Sequence, residues 1–210
     1  MERNKDMFVV GLCGGSGSGK SIASGILRKL GVATLDADKI YSDLISVPGQ
    51  CNDAIAAEFG SSVLNSDGSL NKSALRAIVF ADGAEDKRKK LNSISHSFVL
   101  SVINDQLTKL ENDGVDIAFV DMPLLFECGF DKRCNMTVSV IADRETRIKR
   151  LMLRDGLDRD SVERRINSQI SDAVLSSLTD RVLKNNSTEA ELEASVVSLL
   201  DEINNIIRGE

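Results

Sequence analysis

The stretch Met7-Phe-Val-Val-Gly-Leu12-Cys-Gly14-Gly-Ser-Gly-Ser-Gly-Lys20-Ser21 decides how this chain is read. Met7–Leu12 is a short apolar run, rich in Val and Phe, that breaks into glycines, which is the pattern of a buried strand. Beyond Lys20 the apolar residues Ile22, Ile26, Leu27 and Leu30 recur at helical spacing, and Gly31 supplies a stop. Val32–Leu35 then reads as a second short strand ending in acidic residues. A strand, a helix and a strand, with a glycine-rich loop at the first strand's carboxyl end, describe a parallel sheet flanked by helices.

The loop itself satisfies G-x-x-x-x-G-K-[ST] in full across Gly14–Ser21. Glycine permits positive φ and lets a phosphate approach the backbone without meeting a side chain. Successive N–H groups and the positive end of the following helix attract phosphate oxygens. Gly14, Gly15, Ser16, Gly17, Ser18 and Gly19 are therefore expected to cradle a nucleoside triphosphate. Lys20 is expected to reach its β and γ phosphates, and Ser21 to offer a hydroxyl to magnesium.

Outward from this core the pattern changes. From Lys39 to about Glu111 there are helical patterns and turn signals but little strand, with helices expected over Asn52–Phe59, Lys72–Phe80, Ala84–Leu91 and Ser95–Leu110. We read 39–112 as a helical, acceptor-binding subdomain inserted within a single domain spanning 1–210. Strands return at Val115–Val120 and Met136–Ile141, and a helix follows to about Arg154. Thr188, with Glu191 three residues on, marks the start of a last helix with the apolar face Leu192, Val196, Leu199, Leu200 and Ile203.

Composition excludes several classes. With 26 Lys and Arg against 32 Asp and Glu, the net charge of -6 argues against a general affinity for nucleic acid. No run approaches the roughly 20 apolar residues of a membrane-spanning helix, and the polar start Met1–Asp6 is unlike a signal peptide. The four cysteines form no Cys-x-x-Cys pair and there is one histidine, so no zinc set exists. Reduced thiols in a cytoplasmic protein are expected. No obligate protein partner is evident.

The loop alone leaves open a small-molecule kinase, a guanine-nucleotide switch or a motor or transporter ATPase. N-K-x-D is missing, since Asn71-Lys72 continues as Ser73-Ala74, and no L-S-G-G-Q occurs. A small chain with a helical insertion after the second strand favours a kinase. The residues resemble one family over Val9 to about Ser187: dephospho-CoA kinase. The resemblance is carried by Gly14–Ser21, Asp36-Ala37-Asp38, Leu75-Arg76-x-x-Val-Phe80, Leu91-Asn92 with His96, Pro123-Leu-Leu-Phe-Glu127, Arg154-Asp155, Gln169 and Asn185-Asn186. Ile22, Ser97 and Lys184 depart from the residues common in the family.

The resemblance implies a P-loop kinase-like α/β fold with a helical acceptor insertion and a helical lid, here 144–170. It also implies transfer of the γ-phosphoryl group of ATP to the ribose 3'-hydroxyl of dephospho-CoA. Asp38 is then the expected base, with Arg147 and Arg154 the expected lid arginines of the set Arg144, Arg147, Arg150 and Arg154. Arg76, His96 and Leu125 are expected near the acceptor, and Asn186 near the adenine. Magnesium is expected on Ser21, with Asp36 or Asp121 assisting through water. A nucleoside or nucleotide kinase, or a non-catalytic ATP-binding regulatory module, are the alternative readings.

Overall fold

The structure is a computed structural model in which residues 7–209 are described, so the polar start at 1–6 lies outside the described residues. The described chain forms two units. One joins the segment ending at Leu35 to that beginning at Leu110, and the other is Asp36–Lys109.

The first unit is built on a five-stranded sheet: β1 (Phe8–Cys13), β2 (Ala33–Asp36), β3 (Ile117–Asp121), β4 (Met136–Ile141) and β5 (Arg181–Lys184), in the order β2-β3-β1-β4-β5. The pairs β1–β3, β1–β4 and β4–β5 are parallel, with Leu12 opposite both Asp121 and Val138. β1 is thus central. The connection out of β1 runs to one side, to β2, and the one out of β3 to the other, to β4, which opens a crevice at the carboxyl ends of these two strands. Strands covered on both faces read as continuous apolar runs, and Val10, Leu12, Phe119, Val138 and Val140 are fully buried.

Helices α1 (Lys20–Lys29) and α9 (Glu189–Arg208) close one core through Ile26, Leu27, Leu192, Val196, Leu199 and Ile203. Each such side chain contributes on the order of 1.5–3 kcal/mol of burial. Thr188 caps α9 by accepting from the Glu191 N–H at 3.3 Å, as its sequence position predicts.

Three helices connect the sheet's last strands: α6 (Arg144–Asp155), α7 (Arg159–Asn167) and α8 (Asp172–Leu178). Ile148 and Leu151 of α6 pack on Val162 and Ile166 of α7. The strand β5 and the helices α7 and α8 were not resolved by sequence patterning. β5 is four residues with Arg181 and Lys184 exposed at its ends, too short and too charged to register as a strand.

The second unit is helical: α2 (Ala37–Ser46), α3 (Gln50–Phe59), α4 (Lys72–Val79) and most of α5 (Glu85–Asn112). Ile45, Cys51, Ile55, Val63, Leu70, Leu75 and Val79 form its core. Asn52 is buried among them and donates to the carbonyls of Val47 at 2.8 Å and Gly68 at 3.1 Å, satisfying a turn that leaves helix geometry. One expectation is corrected here. The helices expected over Ala84–Leu91 and Ser95–Leu110 are one helix, Glu85–Asn112, because Asn92-Ser93 contains no glycine or proline to break it and Ser95, Val99, Ile103 and Leu107, at i, i+4 spacing, keep one continuous face inward.

Candidate active site

The phosphate loop grows directly out of β1, and its glycines are required by what surrounds them. Gly14, Gly17 and Gly19 hold positive φ. A Cβ on Gly19 would lie 1.9 Å from Asn185 Nδ2, and one on Gly15 would lie 2.3 Å from an Arg147 guanidinium nitrogen. A Cβ on Gly14 would lie 2.5 Å from the Val140 carbonyl. Only a bare backbone can pass through this gap.

Gly19 precedes α1, whose first turn contains no acidic residue, so nothing there opposes an anion at the helix's positive end. Ser21 is exposed in that turn. Lys20 makes a close ion pair with Asp121, the last residue of β3, and Ser24 donates to the other carboxylate oxygen. The Lys20 and Asp121 side chains are 14% and 4% exposed, so this pair is partly desolvated and holds the ammonium beside the loop. Ser24 had no signal in the sequence beyond being one turn past Lys20. Its role appears only because β1 and β3 are neighbours.

Arg147 is the most deeply placed of the α6 arginines, 3% exposed. Its Nε donates to the Ser16 carbonyl at 2.8 Å and one terminal nitrogen to Asp172 at 2.7 Å. The other terminal nitrogen donates to Gln169 Oε1 at 3.1 Å. Arg150 reaches towards the Gly17 and Ser18 carbonyls and Asn185 at 3.4–3.5 Å. Arg154 instead faces outward, forking onto Asp155 at 2.6 and 2.9 Å, with Arg165 on the same carboxylate. The helix therefore brings Arg147 and Arg150 to the loop and leaves Arg154 on the outer face.

The two asparagines divide between separate tasks. Asn185, 3% exposed, donates to the Ser18 carbonyl at 2.8 Å, while Asn186 accepts from the Asp143 N–H at 2.7 Å ahead of α6. Leu125 is fully buried, packed where a Cβ on Gly11 would meet it at 2.9 Å. It presents no surface to an acceptor, because the turn after β3 folds it under β1.

In the helical unit, Asp36 caps α2 by accepting from the Lys39 N–H at 2.9 Å, and Asp38 stands in that helix's first turn. Arg76 lines a cavity of about 280 Å³ with Tyr41, Ile45, Leu75, Val79 and Phe80. Phe80 is 69% exposed at its edge. His96 is carried by α5 beyond Leu91.

The thiols are out of the chemistry. All four cysteines are free, and burial pushes Cys13 and Cys134 up to about 12, which suppresses their thiolates near neutral pH. Among the described residues no cluster of three or more His, Cys, Asp or Glu could hold a metal ion.

A glycine loop on the central strand of a parallel sheet, feeding a helix through Lys20 and backed by buried arginine, defines a phosphate-loop kinase fold. The family model for dephospho-CoA kinase matches residues 8–191. A dephospho-CoA kinase of Corynebacterium glutamicum is 38% identical over 198 residues, covering 94% of this chain and 98% of that protein. A dephospho-CoA kinase of Geobacter sulfurreducens is 35% identical over 190 residues, covering 90% and 95% respectively. A crystal structure of a Thermus thermophilus protein superposes with a TM-score of 0.78 at 29% identity, covering 94% of this chain and 98% of that one. The chain belongs to the dephospho-CoA kinase family.

Proposed function

We propose that this protein transfers the γ-phosphoryl group of ATP to the ribose 3'-hydroxyl of dephospho-CoA, yielding CoA and ADP, the last step of CoA biosynthesis. The observation that carries the reading is the pre-formed phosphate cradle. Gly14, Gly17 and Gly19 hold backbone conformations that a side chain would strain, Lys20 is already held beside the loop, and no acid crowds the first turn of α1. Phosphoryl transfer asks mainly for positioning and charge stabilisation, and a locked loop supplies both.

In this reading the loop N–H groups hold the triphosphate, and Lys20 stabilises charge on its β and γ groups. Arg147, against Gly15, adds a buried cation behind the loop. Asp38 receives the acceptor hydroxyl's proton, while Arg76 and His96 serve the acceptor and Asn186 the adenine side. Arg154 is the lid arginine whose fork onto Asp155 would have to open for it to meet phosphate.

The residues present suit magnesium delivered with ATP. The available donors are hard oxygens, as Mg²⁺ prefers, and a site this poor in carboxylates suits an ion held chiefly by substrate phosphates. Ser21 would hold it, with Asp121 or Asp36 behind water, and the ion would neutralise charge between the β and γ groups. The substrates are small molecules, with no nucleic acid, membrane or obligate protein partner. No helix among the described residues is long and apolar enough to cross a membrane. The free, largely buried thiols suit the reducing cytoplasm.

The test is direct. Purified protein is incubated with ATP, magnesium and, separately, dephospho-CoA, nucleosides and nucleoside monophosphates. Formation of CoA and ADP from dephospho-CoA alone is expected. Phosphorylation of a nucleoside in its place overturns the reading.

A further inference from the structure

Ser16 is the one residue of the phosphate loop whose every polar group is engaged from outside the loop. Its N–H donates to Gln169 Oε1 at 2.9 Å, and its Oγ accepts from Gln169 Nε2 at 3.0 Å. Its carbonyl accepts from Arg147 Nε at 2.8 Å. Gln169 Oε1 also accepts from Arg147 at 3.1 Å, and Arg147 is neutralised by Asp172 at 2.7 Å. Gln169 lies just beyond the end of α7 and Asp172 in the first turn of α8, so the junction of two helices is tied to a single loop residue.

We propose that Gln169 is a positioning residue for ATP, its amide fixing the Ser16 peptide of the phosphate loop and joining it to the buried guanidinium of Arg147. The need for such a pin is physical. Ser16 is flanked by Gly15 and Gly17, with Gly14 and Gly19 close by, and glycine loses more conformational freedom on ordering than any other residue. Unpinned, the loop would lose that freedom when ATP binds. Pinned, it loses it on folding, and affinity rises accordingly.

The chemistry selects an amide. One oxygen must accept from two donors, the Ser16 N–H and Arg147, while the same group donates to a hydroxyl. Glutamate would keep the acceptor, lose the donor and set a negative charge beside the triphosphate. Leucine would lose everything. The idea rests on the loop being the ATP site, and it is independent of which acceptor is used.

The experiment measures MgATP binding by calorimetry, steady-state kinetics, and exchange of the Ser16 amide proton by NMR in wild type, Gln169→Leu and Gln169→Glu. For Gln169→Leu, the ATP Kd and KM are expected to rise about tenfold, with the acceptor KM within twofold and faster exchange at the Ser16 amide. For Gln169→Glu, that amide stays protected while ATP binding weakens. A folded Gln169→Leu protein with unchanged ATP Kd and unchanged Ser16 exchange overturns the proposal. So does a uniform loss of stability and kcat with both KM values rising alike. If the leucine variant does not fold, Gln169→Glu decides, and wild-type ATP affinity in it overturns the proposal. Because ATP binding is measured without acceptor, a wild type inactive on dephospho-CoA would refute the proposed reaction and leave this test intact.

Discussion

In the proposed reading, the phosphate loop and the helical unit over Asp36–Lys109 recognise their ligands by opposite means. The loop is a stretch of backbone with almost no side chains, held rigid by Asn185, Arg147, Arg150 and Gln169 from elsewhere in its unit. The helical unit carries side chains dispersed over separate helices, with Asp38 on α2, Arg76 on α4 and His96 on α5. A backbone site needs consecutive residues, so it leaves a contiguous motif. A side-chain site needs only that a fold bring its parts together, so it leaves scattered residues. In the first region a methyl group is enough to do damage, and in the second the charge and length of individual side chains matter.

The sharpest way to break this contrast is at its two chemical ends. Asp38→Asn is expected to lower kcat by about 10²–10⁴-fold, the usual worth of a positioned base, with ATP Kd unchanged. Single-turnover kinetics beside an ATP titration check it, and lost ATP binding at normal turnover would sink the base assignment. Lys20→Ala is expected to lower kcat/KM by about 10²–10³-fold, as for loss of one transition-state donor. Since the variant also strips Asp121 of its cation, thermal unfolding without ATP serves as the control for folding.

The glycines test the same contrast within α1 and its approach. Gly19→Ala sets a Cβ 1.9 Å from Asn185 at φ +94°, whereas at Gly25 nothing lies within 4 Å. Gly19→Ala is expected to destabilise by about 1–3 kcal/mol and to weaken ATP binding. Gly25→Ala, inside the helix, is expected to stabilise by about 0.5–1 kcal/mol. Paired melting curves decide; equal effects at the two sites would show the loop is not as tightly enclosed as described.

The smallest effect concerns pH. The backbone N–H and hydroxyl of Thr137 hold Asp180 below its usual carboxylate value, both at 2.7 Å. Its folded pKa is depressed, so its contribution is present above the unfolded value near 3.9 and is lost as pH falls through the folded one. Asp180→Ala is therefore expected to lower the melting temperature slightly at pH 7, with the gap to wild type closing in strong acid. A gap independent of pH would assign the loss to packing alone.

How much could be read in advance follows from the same physics. β1, the loop and α1 stand where Met7–Leu30 places them, and β4 matches Met136–Ile141. These are segments whose apolar period is strong and whose ends are marked. Helices are expected separately over Ala84–Leu91 and Ser95–Leu110, whereas α5 runs unbroken with Ser95, Val99, Ile103 and Leu107 along one buried face. Leu125 stood in a segment typical of the family, but burial under β1 gives it to the core. Gln169 was visible as part of the resemblance without a task, and Asp172 and Ser24 had none.

The sequence by itself determined that a phosphate cradle exists and where it lies, because Gly14–Ser21 builds it from neighbouring peptides and the following helix, with every requirement local. Only the tertiary structure decided what holds that cradle still. The Lys20–Asp121 pair joins residues of two strands that become neighbours only through β1–β3 pairing. The Ser16–Gln169–Arg147–Asp172 cluster spans more than 150 residues of chain. Hydrogen bonds and ion pairs depend on ångström distances that sequence separation does not encode, so these partners could be named only once the chain was folded.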